Sequence, residues 1–230
     1  MSDRLVFEDV VCGYGDTMVL RRLSGSVGPG RVLGVLGRNG VGKTTLLRLL
    51  AGQLPLARGR MTWGQADLCK LAAHQRLGVG IAYAPQEDVV FGELTVAENL
   101  WLHLDDKDPA RYRQCLDLFP RLAERMSQRA GSLSGGERKL LAFTRTMGLR
   151  ARLNLIDEPT EGVQPENIER MAAVVHQRAA QGAAFVIVEQ NLSFLMAVAQ
   201  DVLVLDHGEC VLQGSVENLT RSDLESHLLV

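Results

Sequence analysis

The sequence has few of the features that mark secreted, membrane-spanning or nucleic-acid-binding proteins. Its four cysteines are scattered without a C-x-x-C pair, which favours reduced thiols in or near the core over a disulfide framework or a metal site. Only 5% of the residues are aromatic and the formal net charge is -2, so a nucleic-acid surface is not expected. The apolar runs are too short to span a bilayer, and the N-terminus lacks the apolar core of a signal peptide. We therefore expect a cytoplasmic chain that reaches any membrane only through a partner.

What the sequence does contain is a glycine-rich loop between two apolar segments. The loop, GRNGVGKTT at 37–45, fits the phosphate-binding pattern G-x-x-x-x-G-K-[ST] at every fixed position. Its flanks predict a buried strand over 31–36 and a helix over 45–51 that Gly52 ends. In such a turn the backbone N–H groups converge on a phosphate, and the helix adds the positive end of its dipole. We predict that the phosphates of a nucleotide lie against Gly37, Arg38, Asn39, Gly40, Val41, Gly42, Lys43, Thr44 and Thr45.

Two side chains of this loop and two carboxylates further along the chain form the predicted reaction centre. Lys43 can reach the β- and γ-phosphates, and the Thr44 hydroxyl can bind Mg²⁺. A mostly apolar strand over 153–157 ends in Asp157, which suits the same metal. Glu158 follows, and its carboxylate suits polarising a water for attack on the γ-phosphate. The alternative is an acid pair that only caps the next helix, although the loop in the same chain favours the catalytic interpretation.

Gln86 and Tyr14 are further candidates whose local patterns leave two interpretations open. Gln86 follows a predicted buried strand over 79–84 and Pro85, at a strand end where parallel sheets bind ligands. That position suits a ligand to Mg²⁺ or to the attacking water, but a glutamine after proline is usually only a turn residue. Tyr14, in the turn at 13–16, can stack on an adenine ring or simply pack on the sheet.

The order of the predicted elements indicates an α/β protein with a single domain over 1–230. Strands at 5–11 and 23–27 predict an N-terminal antiparallel β lobe, and residues 87–150 predict an inserted helical lobe. Beyond that lobe, helices and strands alternate, which is typical of a mixed, mostly parallel sheet. The other predicted elements are a strand at 59–64, a helix from Asp67 to about Gln75, helices beginning near Thr95, Pro109 and Gly136, helices at 165–180 and 192–198, a strand at 183–188, and a strand pair at 202–206 and 209–212.

The segment LSGGE at 133–137 stands at the start of the last predicted helix of the helical lobe. Ser134 is a good N-cap, and Gly135 and Gly136 leave backbone N–H groups open to an anion. By itself the segment is a weak signal, because Ser-Gly-Gly is common in loops. Its interpretation depends on the other motifs.

In this order the motifs resemble those of an ABC-type ATPase, the nucleotide-binding subunit of an ABC transporter with a P-loop NTPase fold. The resemblance covers nearly the whole chain and is most specific in LSGGE upstream of Asp157 and Glu158. It implies ATP and Mg²⁺ as cofactors, Tyr14 as the adenine-stacking aromatic, and Gln86 as the glutamine that links the γ-phosphate site to the membrane partner. It also implies Asp157 as the Walker B acid and Glu158 as the catalytic base.

The resemblance further implies a head-to-tail dimer. ATP would lie between the Lys43 loop of one subunit and four residues of the other, namely Ser134, Gly135, Gly136 and Glu137. The segments EPTEGVQP at 158–165 and VEQN at 188–191 are similar to ATP-binding subunits of branched-chain amino-acid importers and of the related urea and short-amide importers.

Importers of this kind resemble one another in using two different ATPase subunits. The expected partners are therefore a paralogous ATPase, with a homodimer as the option in isolation, and integral membrane permease subunits. The expected location is peripheral, on the cytoplasmic face of the inner or plasma membrane.

Three positions depart from the family pattern. Gln190 stands where most ABC ATPases have a switch histidine, and its amide can donate a hydrogen bond to a γ-phosphate but cannot carry a proton's charge. Gln164 replaces the usual Asp of the loop that crosses the dimer. Asn154 interrupts an apolar strand and needs a buried partner to offset its desolvation.

Two functions therefore compete. In the first, the chain hydrolyses MgATP to drive import. The catalytic residues are then Glu158, Gln190 and Lys43. The residues at the metal are Thr44, Gln86 and Asp157. In the second, the chain is the ATP-binding regulatory half of a heterodimer and hydrolyses ATP only weakly. A soluble ABC protein of translation or DNA repair fits less well, because those proteins usually carry tandem cassettes or long coiled-coil insertions.

Overall fold

A six-stranded, mostly parallel sheet lies at the centre of the molecule. The computed structural model describes residues 3–87, 89–102 and 104–228. The strands in chain order are β1 (Leu5–Tyr14), β2 (Thr17–Val27), β3 (Val32–Leu36), β4 (Arg58–Trp63), β5 (Ala66–Asp67), β6 (Ile81–Ala84), β7 (Leu153–Asp157), β8 (Ala184–Val188), β9 (Asp201–Asp206) and β10 (Glu209–Ser215). The helices are α1 (Lys43–Leu50), α2 (Ala73–Arg76), α3 (Val96–Trp101), α4 (Arg113–Leu118), α5 (Pro120–Glu124), α6 (Gly135–Gly148), α7 (Pro165–Ala180), α8 (Leu192–Val198) and α9 (Arg221–Glu225). Within these residues, no helix has the length and apolar content that crossing a membrane requires.

The central sheet has the strand order β10-β9-β3-β8-β7-β6. β3 runs parallel to β8 and β9, β7 runs parallel to β6 and β8, and β10 closes one edge antiparallel to β9. Every residue of β3, β7 and β8 is buried, as expected for parallel strands that are covered on both faces. Because parallel strands end at the same edge, the segments that follow Leu36, Asp157 and Val188 meet there. The α/β fold class predicted from the sequence is confirmed.

One face of the central sheet is covered by α1 and by a second, antiparallel sheet. This second sheet has the order β2-β1-β4-β5, which confirms the predicted N-terminal β lobe. Phe7 and Leu23 of the second sheet belong to the same apolar cluster as Leu46 and Leu50 of α1 and Val186 of β8. The helix that follows the glycine loop is therefore fixed between two sheets.

The other face of the central sheet is covered by helices. Tyr112 and Phe143 are buried in one apolar cluster with Phe185 of β8. Tyr112 packs edge-to-face against Trp101 with ring centroids 5.0 Å apart, and its hydroxyl donates to the carbonyl oxygen of Leu100. The described part of 87–150 consists of helices, turns and one isolated β-bridge. That this region is a lobe inserted in a single domain stays a prediction.

Several predicted elements agree with the structure to within a residue or two. α7 begins at Pro165 and ends at Ala180 as predicted, and α8 spans the predicted 192–198. The predicted capping box at Thr95 is present, because Thr95 Oγ1 accepts the Glu98 N–H and the Glu98 carboxylate accepts the Thr95 N–H. Clear capping and turn residues therefore located these element boundaries well.

The predicted helix from Asp67 to about Gln75 is wrong. The Asp67 carboxylate accepts the backbone N–H of Cys69 at 3.1 Å and caps only a 3₁₀ turn. Leu71 and Ala72 are extended, with ψ 127° and 162°, so the helix cannot continue. α2 then begins anew, with Gln75 Oε1 accepting the Ala72 N–H at 2.8 Å.

The helix predicted from Pro109 is divided as well. Pro109 opens a 3₁₀ turn that Asp108 caps, since Asp108 Oδ1 accepts the Ala110 N–H at 2.9 Å. α4 follows and ends at Leu118, just before Pro120 begins α5. Proline has no N–H to continue a helix and is favoured at its first position, so the break has a direct cause in the sequence.

Candidate nucleotide site

The glycine loop at 37–42 lies between β3 and α1, at the edge where the parallel strands of the central sheet end. Gly37 and Gly42 have φ values of 154° and 112°, which other residues rarely adopt. A Cβ at Gly37 would lie 2.5 Å from the carbonyl oxygen of Leu205, so the loop also approaches β9 too closely for a side chain. The turn presents the N-terminus of α1, where Lys43 is the first residue, as a site for an anion.

Lys43 is almost fully buried beneath the loop. Its Nζ donates to the carbonyl oxygens of Gly37 and Arg38, each at 2.8 Å, and lies 3.6 Å from Glu158 Oε1. Burial lowers the pKa of Lys43, and the Glu158 carboxylate opposes this effect. A desolvated cation attracts an anion more strongly than a hydrated one does, so the loop and Lys43 together suit a phosphate.

Thr44 and Asp157 form a pair of oxygen ligands beside Lys43. Thr44 Oγ1 donates to Asp157 Oδ1 at 3.3 Å, while the buried Asp157 Oδ2 has no hydrogen-bond partner in the described chain. Burial raises the pKa of Asp157 to about 6, and the hydrogen bond from Thr44 opposes that change. An unpartnered buried carboxylate oxygen next to a hydroxyl fits Mg²⁺, which commonly takes one or two protein ligands and fills its other positions with water and phosphate oxygens.

Glu158 is held between two glutamine amides. Gln86 Nε2 donates to Glu158 Oε2 at 2.8 Å, and Gln190 Nε2 donates to Oε1 at 2.8 Å. Gln190 Nε2 also lies 2.7 Å from Asn39 Oδ1 in the glycine loop. The structure thus brings together predicted residues from four separate segments of the chain.

Gln86 was predicted as a ligand of Mg²⁺ or of the attacking water. Its amide donates to Glu158 Oε2 and, at 3.4 Å, to Glu161 Oε2, so its hydrogen bonds run to the carboxylates that follow β7. Its role at the metal stays a prediction.

Tyr14 lies at the end of β1, where the chain turns tightly into β2. The residue is 44% exposed, and its hydroxyl accepts from Arg48 Nη1 of α1 at 3.4 Å. An exposed ring held beside the helix that follows the glycine loop can stack on a base, although stacking itself stays a prediction.

The signature segment, LSGGE at 133–137, begins α6 with a complete capping box. Ser134 Oγ accepts the Glu137 N–H at 3.2 Å, and Glu137 Oε2 accepts the Ser134 N–H at 3.0 Å. The bond from the Ser134 N–H lowers the pKa of Glu137, to which Arg125 also contributes. Ser134 and Gly135 are exposed, whereas a Cβ at Gly136 would lie 2.4 Å from the carbonyl oxygen of Gly162. One side of this helix start therefore packs against the loop after β7, and the other side is free to contact a ligand.

Two charged residues that hold the site together, one buried and one largely buried, were given no role by the sequence motifs. Glu189 Oε1 accepts the Thr160 N–H at 2.8 Å, and its Oε2 accepts the N–H groups of Gln190 and Asn191 at 3.0 Å. Burial raises the pKa of Glu189, and the hydrogen bonds it accepts oppose this change. Its place directly after β8, next to Gln190, is the signal that could have identified it. The other residue, Lys139, has no such signal.

The three departures from the family pattern have different surroundings. Asn154 Nδ2 donates to the carbonyl oxygens of Ala151 and Ala184 at 3.3 and 3.4 Å, but its buried Oδ1 has no partner among residues 3–87, 89–102 and 104–228. Gln164 is exposed and precedes α7 without a side-chain cap. Only Gln190 touches the reaction centre.

Residues 20–161 match the family described as ABC transporter. The chain is 35% identical over 215 residues to the high-affinity branched-chain amino acid transport ATP-binding protein BraG of Pseudomonas aeruginosa, covering 92% of each chain. It is 29% identical over 225 residues to the lipopolysaccharide export system ATP-binding protein LptB of Acidithiobacillus ferridurans, covering 95% of this chain and 93% of the relative. A solved ATP-binding subunit of an ABC transporter superposes with a TM-score of 0.84 at 24% identity, covering 96% of this chain and 98% of that one.

Proposed function

Since this chain belongs to the ABC transporter family, as one of its ATP-binding cassette ATPases, we propose that it powers an importer of branched-chain amino acids or of urea or short amides. The greater identity to BraG than to LptB supports import over lipopolysaccharide export. The segments at 158–165 and 188–191, which resemble those of importer ATPases, support the same assignment.

The observation that carries the catalytic part of the proposal is the placement of the Glu158 carboxylate. It lies 3.6 Å from Lys43 Nζ and directly follows Asp157, which is hydrogen-bonded to Thr44. A triphosphate on the glycine loop would therefore have a cation, a metal site and a general base around its terminal phosphate. Positioning and electrostatic stabilisation of this kind supply most of the catalysis of phosphoryl transfer.

Each residue then has a distinct task. The loop amides and Lys43 bind the β- and γ-phosphates, and Thr44 and Asp157 would hold Mg²⁺, which neutralises charge on the phosphate oxygens. Glu158 accepts a hydrogen bond from the attacking water and polarises it. Gln86 and Gln190 orient the Glu158 carboxylate through their amides.

The expected assembly follows from the exposed start of α6. Ser134 and Gly135 are open on the surface, and a helix N-terminus with a free face supplies N–H donors and a favourable dipole to a phosphate. We propose that they contact ATP held by a second ATPase subunit, preferably a paralogue, in a head-to-tail dimer. The dimer would sit on integral membrane permease subunits at the cytoplasmic face of the membrane.

Replacing Glu158 by glutamine tests the catalytic assignment. Glu158→Gln keeps the shape of the side chain but removes the base, so we expect MgATP turnover to fall by at least about 100-fold while ATP binding survives. Steady-state phosphate release and nucleotide titration measure the two effects. The matched control is Glu93→Gln, at a side chain that is 90% exposed, and it should behave as the wild type does. Near-normal turnover of Glu158→Gln would rule out Glu158 as the base.

Purification from gently solubilised membranes tests the transport assignment. We expect a tagged chain to bring down two distinct membrane subunits and a second ATPase. Recovery of subunits of a lipopolysaccharide exporter, or of no membrane protein at all, would contradict the importer proposal.

Gln190 favours a second candidate function, an ATP-binding half with weak hydrolysis. Its neutral amide contacts Glu158 Oε1 where an imidazole could carry a proton. In this case the isolated chain hydrolyses ATP slowly, and Gln190→His raises its rate. A vigorous wild-type rate that Gln190→His leaves unchanged would exclude this second function.

A further inference from the structure

Lys139 of α6 lies where the loops around Glu158 converge. Its side chain is 12% exposed, and Nζ donates to the carbonyl oxygens of Gln86 at 2.8 Å and Glu158 at 3.2 Å. Nζ also lies 3.4 Å from Glu161 Oε2. One largely buried ammonium therefore contacts both backbone segments that carry the Gln86–Glu158 pair.

These contacts link Gln86 and Glu158 twice, once through their backbones and once through their side chains. The carbonyl oxygens of Gln86 and Glu158 accept from the same Nζ, and their side chains are joined by the 2.8 Å bond from Nε2 to Oε2. Hydrogen bonds from a charged donor are stronger than those from a neutral one. The ammonium thus fixes the separation of the two backbones, on which the side-chain bond depends.

The backbone of Glu158 requires such support. Its φ of 44° lies in the left-handed region, which is unfavourable for any residue with a Cβ. On one side its N–H donates to the carbonyl oxygen of Val188 at 2.9 Å, and on the other its carbonyl accepts from Lys139. Removal of the ammonium would leave the peptide after Glu158 without this anchor.

Lys139 also belongs to the helix that begins with the signature segment. Gly136 and Lys139 are three residues apart and share one face of α6. This face packs on the loop after β7, as the close approach of Gly136 to the Gly162 carbonyl shows. Besides this packing, the Lys139 side chain links α6 directly to the backbone of Glu158.

We propose that Lys139 is a positioning residue that couples the signature helix to the Glu158 carboxylate, an inference that rests on the proposed ATPase function. The contact with Glu161 is secondary, because that side chain is 62% exposed and water and salt screen the pair. The two backbone carbonyls carry the coupling.

Steady-state ATPase kinetics of Lys139 variants test this role. Lys139→Met keeps the apolar stem but removes the donor, and we expect kcat to fall about tenfold or more while KM for MgATP changes less than about twofold, since a charged hydrogen bond is lost without a change in phosphate binding. Lys139→Arg should recover most of kcat. The matched control is Lys70→Met, which removes a lysine that is 82% exposed, and it should leave both constants unchanged. An unchanged kcat, or a loss confined to KM, would overturn the proposal.

Hydrogen exchange separates this proposal from its premise. In the chain without nucleotide, Lys139→Met should speed amide hydrogen exchange near residues 84–87 and 157–162 but not in α7, and unchanged exchange near Glu158 would overturn the proposal. This readout needs no turnover, so a wild-type chain that fails to hydrolyse ATP would defeat only the proposed function.

Glu161→Gln should keep kcat within about twofold, because an exposed ion pair contributes little. A tenfold loss in Glu161→Gln would assign the effect to the ion pair instead. If Lys139→Met does not fold, Lys139→Gln should give an intermediate loss of kcat, and an unchanged kcat there would equally overturn the proposal.

Discussion

At the scale of single residues, the two side chains that donate hydrogen bonds to the Glu158 carboxylate are neutral amides. Gln86 and Gln190 each donate to one of its oxygens, and amides keep the same protonation state across the physiological range. Where a histidine would make the contact dependent on pH, Gln190 makes it constant. The charged groups beside Glu158 are the buried Lys43 and Asp157 and the ammonium of Lys139, which donates to the Glu158 carbonyl oxygen.

Neighbouring glycines of the signature segment should respond differently to the same substitution. Gly136→Ala places a methyl group 2.4 Å from the Gly162 carbonyl oxygen, so we expect the free energy of unfolding to fall by about 1–3 kcal/mol. Gly135→Ala meets nothing within 4 Å and should leave stability unchanged or slightly higher. Urea unfolding followed by circular dichroism measures both variants. Equal stabilities would show that α6 does not pack as tightly on the loop after β7 as this geometry requires.

At the scale of elements, the strands and long helices were predictable because their signals are local. Continuous apolar runs marked β3, β7 and β8, and Pro165 marked the start of α7. The interruptions were not predicted, since the helix pattern after Asp67 gave no sign that Leu71 and Ala72 would be extended. The sequence also did not show which polar atoms of Asn154 find hydrogen-bond partners, because the surrounding backbone decides that.

The membership of the candidate site was more predictable than its contacts. Gln86, Asp157 and Glu158 all stand at or just after strand ends, and the parallel sheet places such residues at one edge. The bond between Gln86 and Glu158, by contrast, joins residues 72 positions apart and depends on side-chain conformations that no pattern specifies. Lys139 was missed because a lysine within an amphipathic helix usually faces solvent.

Tyr112 should make the free energy of unfolding decrease at alkaline pH. Burial raises the pKa of Tyr112 from 10.0 to about 12, so the unfolded chain loses the phenolic proton at lower pH than the folded chain does. Its contribution to stability is complete below pH 10 and declines by about 1.4 kcal/mol per pH unit between the two values. Tyr112→Phe loses the hydrogen bond to Leu100 and should be about 1 kcal/mol less stable at pH 7.

The difference between wild type and Tyr112→Phe should therefore shrink above pH 10 and reverse at about pH 11, which urea unfolding over this pH range measures. A constant difference between wild type and Tyr112→Phe would show that the hydroxyl titrates alike in the folded and unfolded chains.

At the scale of the whole molecule, the proposed head-to-tail dimer assigns the two halves of each ATP site to different chains. In the proposed dimer the Lys43 loop of one copy would face Ser134 of the other, so each site would take one half from each subunit. Two defective variants should then complement each other. A mixed dimer of Lys43→Ala and Ser134→Arg has one site with both defects and one site with neither, whereas each variant alone has a defect in every site. If two copies of the chain associate in isolation, we expect an equal mixture to recover about a quarter of the wild-type ATPase rate, because half of the dimers are mixed and each of these has one intact site. The control mixture, Lys43→Ala with Glu158→Gln, restores no site. Lys43 and Glu158 of one subunit belong to the same half of one site, so every site of a mixed dimer contains one of the two defects. Activity that fails to recover in the first mixture, while the wild type remains active and dimeric, would refute the head-to-tail arrangement.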